Sequence, residues 1–538
     1  MHIAGMAGNR GRNLLNIADR APGGAELAVI VATDEDAPVL DAAAERGIPT
    51  ETVPLREGED RRDHERRVLD ALDGYEFDLV CLDGYMRVLS ETFLDAAPTT
   101  LNVHPSLLPS FPGTDAWGDA LDAGARVTGC TVHVVTDAVD EDGEVVEGEV
   151  DGGPIVTQEP VPVYEGDDAD DLKHRVLSEG EFRAYPRAVR WFAEDSVTVA
   201  EDGSVTVEGD EGGTFPVRDL ASADRAETLR YGENPHQDAA LYATPTDEAS
   251  VVHADQLNEG AKGMGYNNYN DADAALDIVK EFDAPAAAVI KHTNPAGCAT
   301  AEKLADAYAD ALSTDPMSAF GGIVALNREC DAATAERVVD SFKEVCVAPG
   351  YSEDALGILR EKENLRVLDC GSLDTPDEER EEFTVKPVTG GRLVQERDDQ
   401  RLTREDLTFV TEREPSEEQV ETMLFAWQVA KHVKSNAIVF ADGTETVGVG
   451  MGQVSRVDAV RLAAMKADEH AEGKDAQGAV MASDAFFPFP DGVEEAAEAG
   501  IEAVVQPGGS VNDDDVIETC DELGVAMAFT GNRCFKHD

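Results

Sequence analysis

Asn102 and His104 stand two apart in the string LNVHPSLLPSFPG, residues 101–113. On an extended backbone that spacing points both side chains to one face. A carboxamide that can hydrogen-bond an oxyanion, beside an imidazole that can move a proton, is equipment for acyl transfer to an amine. Pro105, Pro109 and Pro112 hold the following loop out of helix. Asp151 opens the turn DGGPI, where two glycines and a proline can aim a carboxylate inward. Far downstream, PAAAVIKHTNPAGCA (285–299) reads as a buried strand that ends in Lys291 and His292. A base and a cation at a strand end could deprotonate a weak amine and stabilise a tetrahedral intermediate. Each motif has a plainer reading as well: Asn102 as a turn cap, Asp151 as a turn residue, and Lys291 and His292 as solvated strand-end residues.

The elements that must position these groups alternate between strand and helix. An apolar run from His2 to Ala7 leads into GNRGRN and then LLNIADRA, which predicts strand, glycine loop and helix. Backbone N–H groups at a helix N-terminus bind phosphate. Gly8 to Asn13, with Gly11, Arg12 and Asn13, is therefore a candidate phosphate cradle, and a plain strand-to-helix turn is the alternative. A strand at 27–34, a helix at 37–46, a short strand at 50–53 and a strand at 77–82 follow. This pattern predicts an α/β domain with an open, mostly parallel sheet and helices on both faces. GCTVHVVTD (129–137) is an alternating strand carrying His133, and 17 residues, many acidic, separate His133 from Asp151. Asp137 and Asp140 stand as alternatives to Asp151 because of that insertion.

The first domain is expected to span 1–195, followed by an acidic linker or edge hairpin at 196–226 that repeats SVTV. A second domain is expected over 227–538. There GYNNYNDADAALDIV (265–279) passes from a polar turn into an amphipathic helix, with Asp271 and Asp273 suited to its first turn.

Composition limits the function classes. With 538 residues the chain is too long for one core. It carries 110 Asp and Glu against 44 Lys and Arg, a formal net charge of −66 spread along its length. Such a shell repels itself unless screened, which points to a high-salt cytoplasm and a halophilic source. It also argues against nucleic acid as a partner. No apolar run is long enough to span a membrane, and the N-terminus lacks the layout of a signal peptide. A cytoplasmic protein is expected. The eight cysteines form no C-x-x-C pair and no zinc-spaced cluster, so no metal is expected.

The string at 101–113 closely resembles the signature of glycinamide ribonucleotide (GAR) formyltransferase, a folate-dependent family of purine synthesis. The resemblance implies that Asn102, His104 and Asp151 form the catalytic trio. It implies that Gly11, Arg12 and Asn13 hold the substrate phosphate and that Glu181 contacts the substrate. The backbone of Met86, Arg87, Val88 and Leu89 would meet the pterin ring of the folate. Trp117 departs from the family, which usually has histidine there.

From Leu229 onward, LRYGENPHQ, KHTNPAGCA, DPMSAFGGIVALN, VAKHVKSNAIV, GVGMGQVSRVDAVRLA, ASDAFFPFPD and TGNRCFKH resemble, in order, the aminoimidazole carboxamide ribonucleotide (AICAR) formyltransferase module of the bifunctional purine enzyme. The resemblance implies a module of two α/β subdomains related to the cytidine deaminase fold, working as a homodimer. It assigns catalysis to Lys291, His292 and Asn436. Arg230, Tyr231, Gly321, Arg456 and Arg533 would bind substrate, and Phe486 and Asp491 would bind folate. The deaminase zinc pattern is absent. The separate domain that closes the purine ring is also absent, so no cyclohydrolase activity is expected. The implied protein is bifunctional and transfers formyl groups from 10-formyltetrahydrofolate to GAR and to AICAR. Two rivals stay open for the first domain: formylation of another amine, or a binding module without catalysis.

Overall fold

The computed structural model describes residues 1–140, 144–146, 148–200, 202–208, 214–258, 262–376 and 379–537. Part of the acidic insertion (141–143 and 147) and part of the connector (201 and 209–213) therefore lie outside the described residues. The chain divides into two compact units, Met1–Leu220 and Ala221–Asp538. Among the described residues, no helix is long and apolar enough to cross a membrane.

The first unit is built on a seven-stranded sheet. Its strands are β1 His2–Ala7, β2 Glu26–Ala32, β3 Thr50–Thr52, β4 Leu79–Asp83, β5 Thr100–His104, β6 Val127–Val134 and β7 Ile155–Pro162. The order is β3-β2-β1-β4-β5-β6-β7. Strands β3 to β5 in that order run parallel, and β6 and β7 are added antiparallel. The strands are near-continuous apolar runs because both faces are covered. Ile3, Ala4, Met6, Val29, Ile30 and Val80 are fully buried. The covering helices are α1 Arg12–Arg20, α2 Pro38–Glu45, α3 Arg61–Leu72, α4 Glu91–Leu94, α5 Ala116–Asp122, α6 Ala169–Arg175 and α7 Phe182–Ala193.

The chain moves outward from β1 to β3 and then returns to place β4 on the other side of β1. That reversal opens a crevice at the carboxyl ends of β1 and β4. Gly8 lets the two loops touch there, since a Cβ on it would lie 2.0 Å from the Gly84 carbonyl. The hydroxyl of buried Tyr185 on α7 lies 3.0 Å from Leu82 O and 2.9 Å from Leu101 O, which straps the helix across β4 and β5. Between α6 and α7 the chain makes a π-helical turn, Val176–Glu181, one residue wider per turn than an α-helix. That widening ends on Glu181.

The expected linker after residue 195 belongs to the first unit instead. Its SVTV repeats pair as the antiparallel hairpin Val197–Val199 and Val205–Val207. Val197 and Val207 pack on the first unit's core, and Arg218 bonds the Glu159 carboxylate. Apolar residues within a charged stretch thus recruit it to the sheet edge.

The second unit is an α/β domain on one twelve-stranded mixed sheet. Its two halves repeat one pattern. In the first, the hairpin Ala286–Lys291 and Asn294–Thr300 is followed outward by Ile323–Leu326, Val345–Ala348, Arg366–Asp369 and Asp255–Gln256. In the second, the hairpin Ile438–Asp442 and Glu445–Gly450 is followed outward by Val480–Ser483, Ala503–Gln506, Ala526–Phe529 and Thr408–Phe409. Pairings match: antiparallel in the hairpin and its next neighbour, then parallel, with an antiparallel edge. The two expected subdomains therefore share a sheet, joined at Ala299 opposite Glu445. Beneath it, helices Tyr266–Val279 and Glu417–Ala430 bury one common core, with Phe282 and Phe425 rings 5.4 Å apart. The strand expected to end in Lys291 and His292 runs over Ala286–Lys291, and the chain turns at His292 and Thr293 into a second strand, Asn294–Thr300.

Candidate functional site

The crevice in the first unit is a cavity of about 790 Å³. Residues 9–13 after β1, 82–89 at and after the end of β4, 102–105 at the end of β5, His133, Asp151 and Glu181 all line it. Asn102 and His104 reach it from the same face of β5. The antiparallel register places His133 directly across from Asn102. Asp151 sits in a left-handed turn at φ 58°, a conformation aspartate tolerates better than most residues.

His104 has an acceptor at each ring nitrogen: Asp151 at 3.1 Å from Nδ1 and the Phe111 carbonyl at 3.0 Å from Nε2. Only the imidazolium can donate to both. Burial is the largest single influence and opposes that charge, but the bond and charge of Asp151, with the Phe111 carbonyl and the Glu181 charge, together outweigh it and the pKa of His104 is raised. Burial likewise works to raise Asp151, yet the hydrogen bond from His104, with the His133 ring 3.6 Å away on its other oxygen, holds its carboxyl well below the usual range. His133 Nε2 lies 3.2 Å from Asn102 Nδ2, and its Nδ1 lies 3.2 Å from Val134 O. With its proton on Nδ1, it accepts from Asn102 and fixes the carboxamide. A fixed amide donor and a buried cation together suit an oxyanion. The fallback carboxylates are occupied elsewhere: Asp137 accepts from Val139 N, and Asp140 from Glu144 N.

The phosphate cradle takes a different form from the expected open helix terminus. Gly11 caps α1 in left-handed backbone at φ 55°. The Asp83 carboxylate accepts from the N–H of Asn13 at 2.7 Å and, more weakly, of Leu14 at 3.4 Å. Gly11 and Arg12 are left facing the cavity, and the Arg12 side chain is exposed. Asn13 Nδ2 donates to Asp83 at 3.2 Å and to Glu181 at 2.6 Å. Burial pushes Glu181 up to about 7, the bond from Asn13 opposing it and the Asp83 charge adding to it. Met86, Arg87, Val88 and Leu89 form the far wall of the same cavity. Trp117 also lines it, with Lys173 Nζ 4.7 Å from the ring centroid.

The Glu181 carboxyl gives a stability prediction. Its folded pKa lies above the ordinary glutamate value of 4.5. The folded state therefore holds more protons between those values, and stability falls as pH rises through the window. Glu181→Gln should melt higher than the parent above pH 7, with the difference shrinking as pH falls toward 4.5. Calorimetric melts across pH 4.5–8 check this, and a constant offset would contradict it.

In the second unit, Lys291 and His292 stand at the hairpin turn, Lys291 half-buried and His292 exposed. His292 and Thr293 both take left-handed backbone, at φ 53° and 62°. Asp271 holds the turn, accepting from His292 N at 3.1 Å and Thr293 N at 2.7 Å. It does so from the middle of its helix, not the first turn, because the asparagines start that helix at Tyr266. Lys291 Nζ donates to Phe320 O at 2.6 Å, and the adjacent Gly321, at φ 69°, leaves room beside the ammonium.

Asn294 links this turn to the other half of the sheet. Its Oδ1 accepts from Lys434 N at 2.9 Å, two residues before Asn436. Asn436 donates to Gln453 O at 2.8 Å and accepts from Arg456 Nη2 at 2.8 Å. Arg456 in turn meets Asp484 at 2.5 Å and Ser483 at 2.7 Å, in a buried network that Ser435 joins through Asp484. Lys291, His292, Asn436 and Arg456 are thus brought to one edge. Arg230, Arg533, Phe486 and Asp491 are on exposed positions, and Tyr231 is partly exposed. Among the described residues, no hydrogen bond or ion pair joins these five to Lys291 or His292. Likewise, no group of three or more His, Cys, Asp or Glu among the described residues could hold a metal ion.

Sequence reasoning placed His133 on its strand without a role, and passed over Asp83 and Asp484. Only the cross-strand register could have supplied the first, and the long-range packing the other two.

Comparison with known proteins adds the following. The family described as formyl transferase matches residues 1–189, and the family described as AICARFT/IMPCHase bienzyme matches residues 194–466. The bifunctional purine biosynthesis protein PurH of Caulobacter vibrioides is 48% identical over 358 residues, 66% of this chain and 65% of that protein. PurH of Roseobacter denitrificans is 50% identical over 333 residues, 60% of this chain and 62% of that protein. The chain thus covers just under two thirds of the length of these relatives. Among solved structures, glycinamide ribonucleotide transformylase 1 from Symbiobacterium toebii is 38% identical, covering 39% of this chain and 94% of that one, with a TM-score of 0.35. The bienzyme match runs over half of the residues and follows directly on the formyl transferase match, and on that basis the chain belongs to the AICARFT/IMPCHase bienzyme family, with a formyl transferase domain ahead of the matched segment.

Proposed function

We propose that the chain performs both formyl transfers of purine synthesis, each from 10-formyltetrahydrofolate. The first unit formylates the primary amine of GAR, and the second formylates the 5-amino group of AICAR. One observation carries the reading of the first unit: Asn102, His104 and Asp151 meet in a cavity whose walls also hold the Gly11–Arg12 loop and the Met86–Leu89 loop. A sugar phosphate at one end and a pterin at the other would bring amine and formyl carbon together at Asn102.

In this mechanism the GAR amine attacks the formyl carbon, and the carbonyl oxygen becomes an oxyanion. Asn102 donates to it, and the His104 imidazolium stabilises it by its charge. Asp151 keeps His104 charged, and a water at the carboxylate carries the ammonium proton toward the departing folate nitrogen. Arg12 meets the substrate phosphate through charge-assisted bonds, and Glu181 meets the sugar. In the second unit, His292 takes a proton from the poorly nucleophilic AICAR amine while Lys291 stabilises the oxyanion or protonates the leaving folate. Asn436 and Arg456 hold the substrate. Arg230, Tyr231 and Arg533 complete the phosphate site, and Phe486 and Asp491 flank the folate. A homodimer through the second unit would cover the open face of this site. Ring closure is not part of the reading.

The test is a pair of variants, each assayed with both amines in molar KCl. His104→Ala should lower GAR formylation about 10²–10⁴-fold and leave AICAR formylation unchanged, with the reverse for His292→Ala. GAR turnover that survives His104→Ala would remove His104 from the chemistry, and a parent chain that binds folate but does not turn over GAR would leave the first unit as a binding module.

A further inference from the structure

We infer that Glu65, a buried residue on α3 outside the cavity, is a positioning residue for the loop that receives the formyl donor; this rests on the reading of the first unit given above. The loop Met86–Leu89 would bind a pterin through its own N–H and C=O groups. A backbone that offers those groups to a ligand cannot also use them to hold its own shape. Among the described residues, nothing accepts from the N–H groups of Met86, Arg87, Val88 or Leu89. Its shape is therefore set from outside, and α3 sets it. Glu65 is 1% exposed, and its carboxylate accepts from Ser90 N at 2.9 Å and from Ser90 Oγ at 2.5 Å. Ser90 is itself fully buried and caps α4. One turn earlier on α3, Arg61 donates to Val88 O. The loop is thus pinned just past its last residue, at Ser90, by a carboxylate and at Val88 by a guanidinium, both from one helix face. Hydrogen bonds to a charged group are the stronger kind, so a carboxylate fixes the loop better than an amide would.

The experiment uses the full chain with Glu65→Gln, Glu65→Ala and Ser90→Ala, the last removing only the hydroxyl bond. Steady-state kinetics with GAR and 10-formyltetrahydrofolate, and amide hydrogen exchange over residues 84–91, are the readouts. Glu65→Ala should raise the donor KM about tenfold. The GAR KM should stay within about twofold and AICAR formylation should be unchanged. Exchange in the loop should quicken by a similar factor. Glu65→Gln should recover part of the donor KM, and Ser90→Ala should show a smaller rise. Unchanged donor KM with intact GAR turnover overturns the inference, as does an equal rise in both KM values. If the wild-type chain does not turn over GAR, the first unit's proposed activity fails. The clamp is then decided by exchange alone, with unaltered loop exchange in Glu65→Ala overturning it.

Discussion

Asp151→Asn should lower GAR formylation about 1,000-fold while AICAR formylation on the same chain stays unchanged. Among the described residues, the carboxylate is the only anion bonded to the His104 ring, at 3.1 Å. An amide of the same shape keeps the packing but removes the charge that offsets burial of the imidazolium. Burial then prevails, His104 loses its proton at lower pH, and the positive charge that stabilises the oxyanion is lost. The alkaline limb of the pH–rate profile should move to lower pH, with partial recovery of rate under acid conditions. Stability carries the same sign. The raised pKa of His104 contributes stability below its ordinary 6.5, lost as pH rises through the folded value. The lowered pKa of Asp151 contributes above its ordinary 3.8, lost only well into acid. The variant should therefore lose most stability between about pH 4 and 6.5. A rate loss independent of pH would point to displaced geometry, not to charge.

Asp484→Ala should destabilise the second unit by about 3–5 kcal/mol and abolish AICAR formylation. Asp484 is fully buried, and it is the anion facing Arg456, whose side chain is 8% exposed. Removing it strands a guanidinium in the interior, frees Ser435 and releases the amide of Asn436 from its orientation. Urea unfolding followed by Trp427 fluorescence measures the loss. The double variant Arg456→Met/Asp484→Leu should recover most of the stability, because no buried charge remains, but none of the turnover. Recovery of turnover in that double variant would remove Arg456 and Asp484 from the chemistry.

Which parts of this molecule could be read in advance follows from the range of the forces involved. The strands of the first unit were legible because an apolar run between turn signals is a local pattern. The pairing of Asn102 with His104 was legible for the same reason, since a period of two needs only neighbours. Asp151 was legible because its glycine–proline turn is written beside it. His133 was not: its partner lies 31 residues away and is set by register between antiparallel strands. The fate of the α1 terminus was equally hidden, because Asp83 arrives from another strand 70 residues on. The extra residue that swings Glu181 inward is a π turn, and no composition signals one. In the second unit the end of the alanine-rich strand was legible but the form of its turn was not, since nothing in KHT announces two left-handed residues; Asp271 holds them from 21 and 22 residues upstream.

The matching pattern of the two halves of the second unit has a historical consequence. A chain that folds the same motif twice, seam to seam, is what duplication of an ancestral segment leaves behind. The ancestor would have paired with a copy of itself across the edge now occupied by Ala299 and Glu445. Lys291 comes from one half and Asn436 from the other, so on this history the groups gathered there would have met first across a boundary between two molecules.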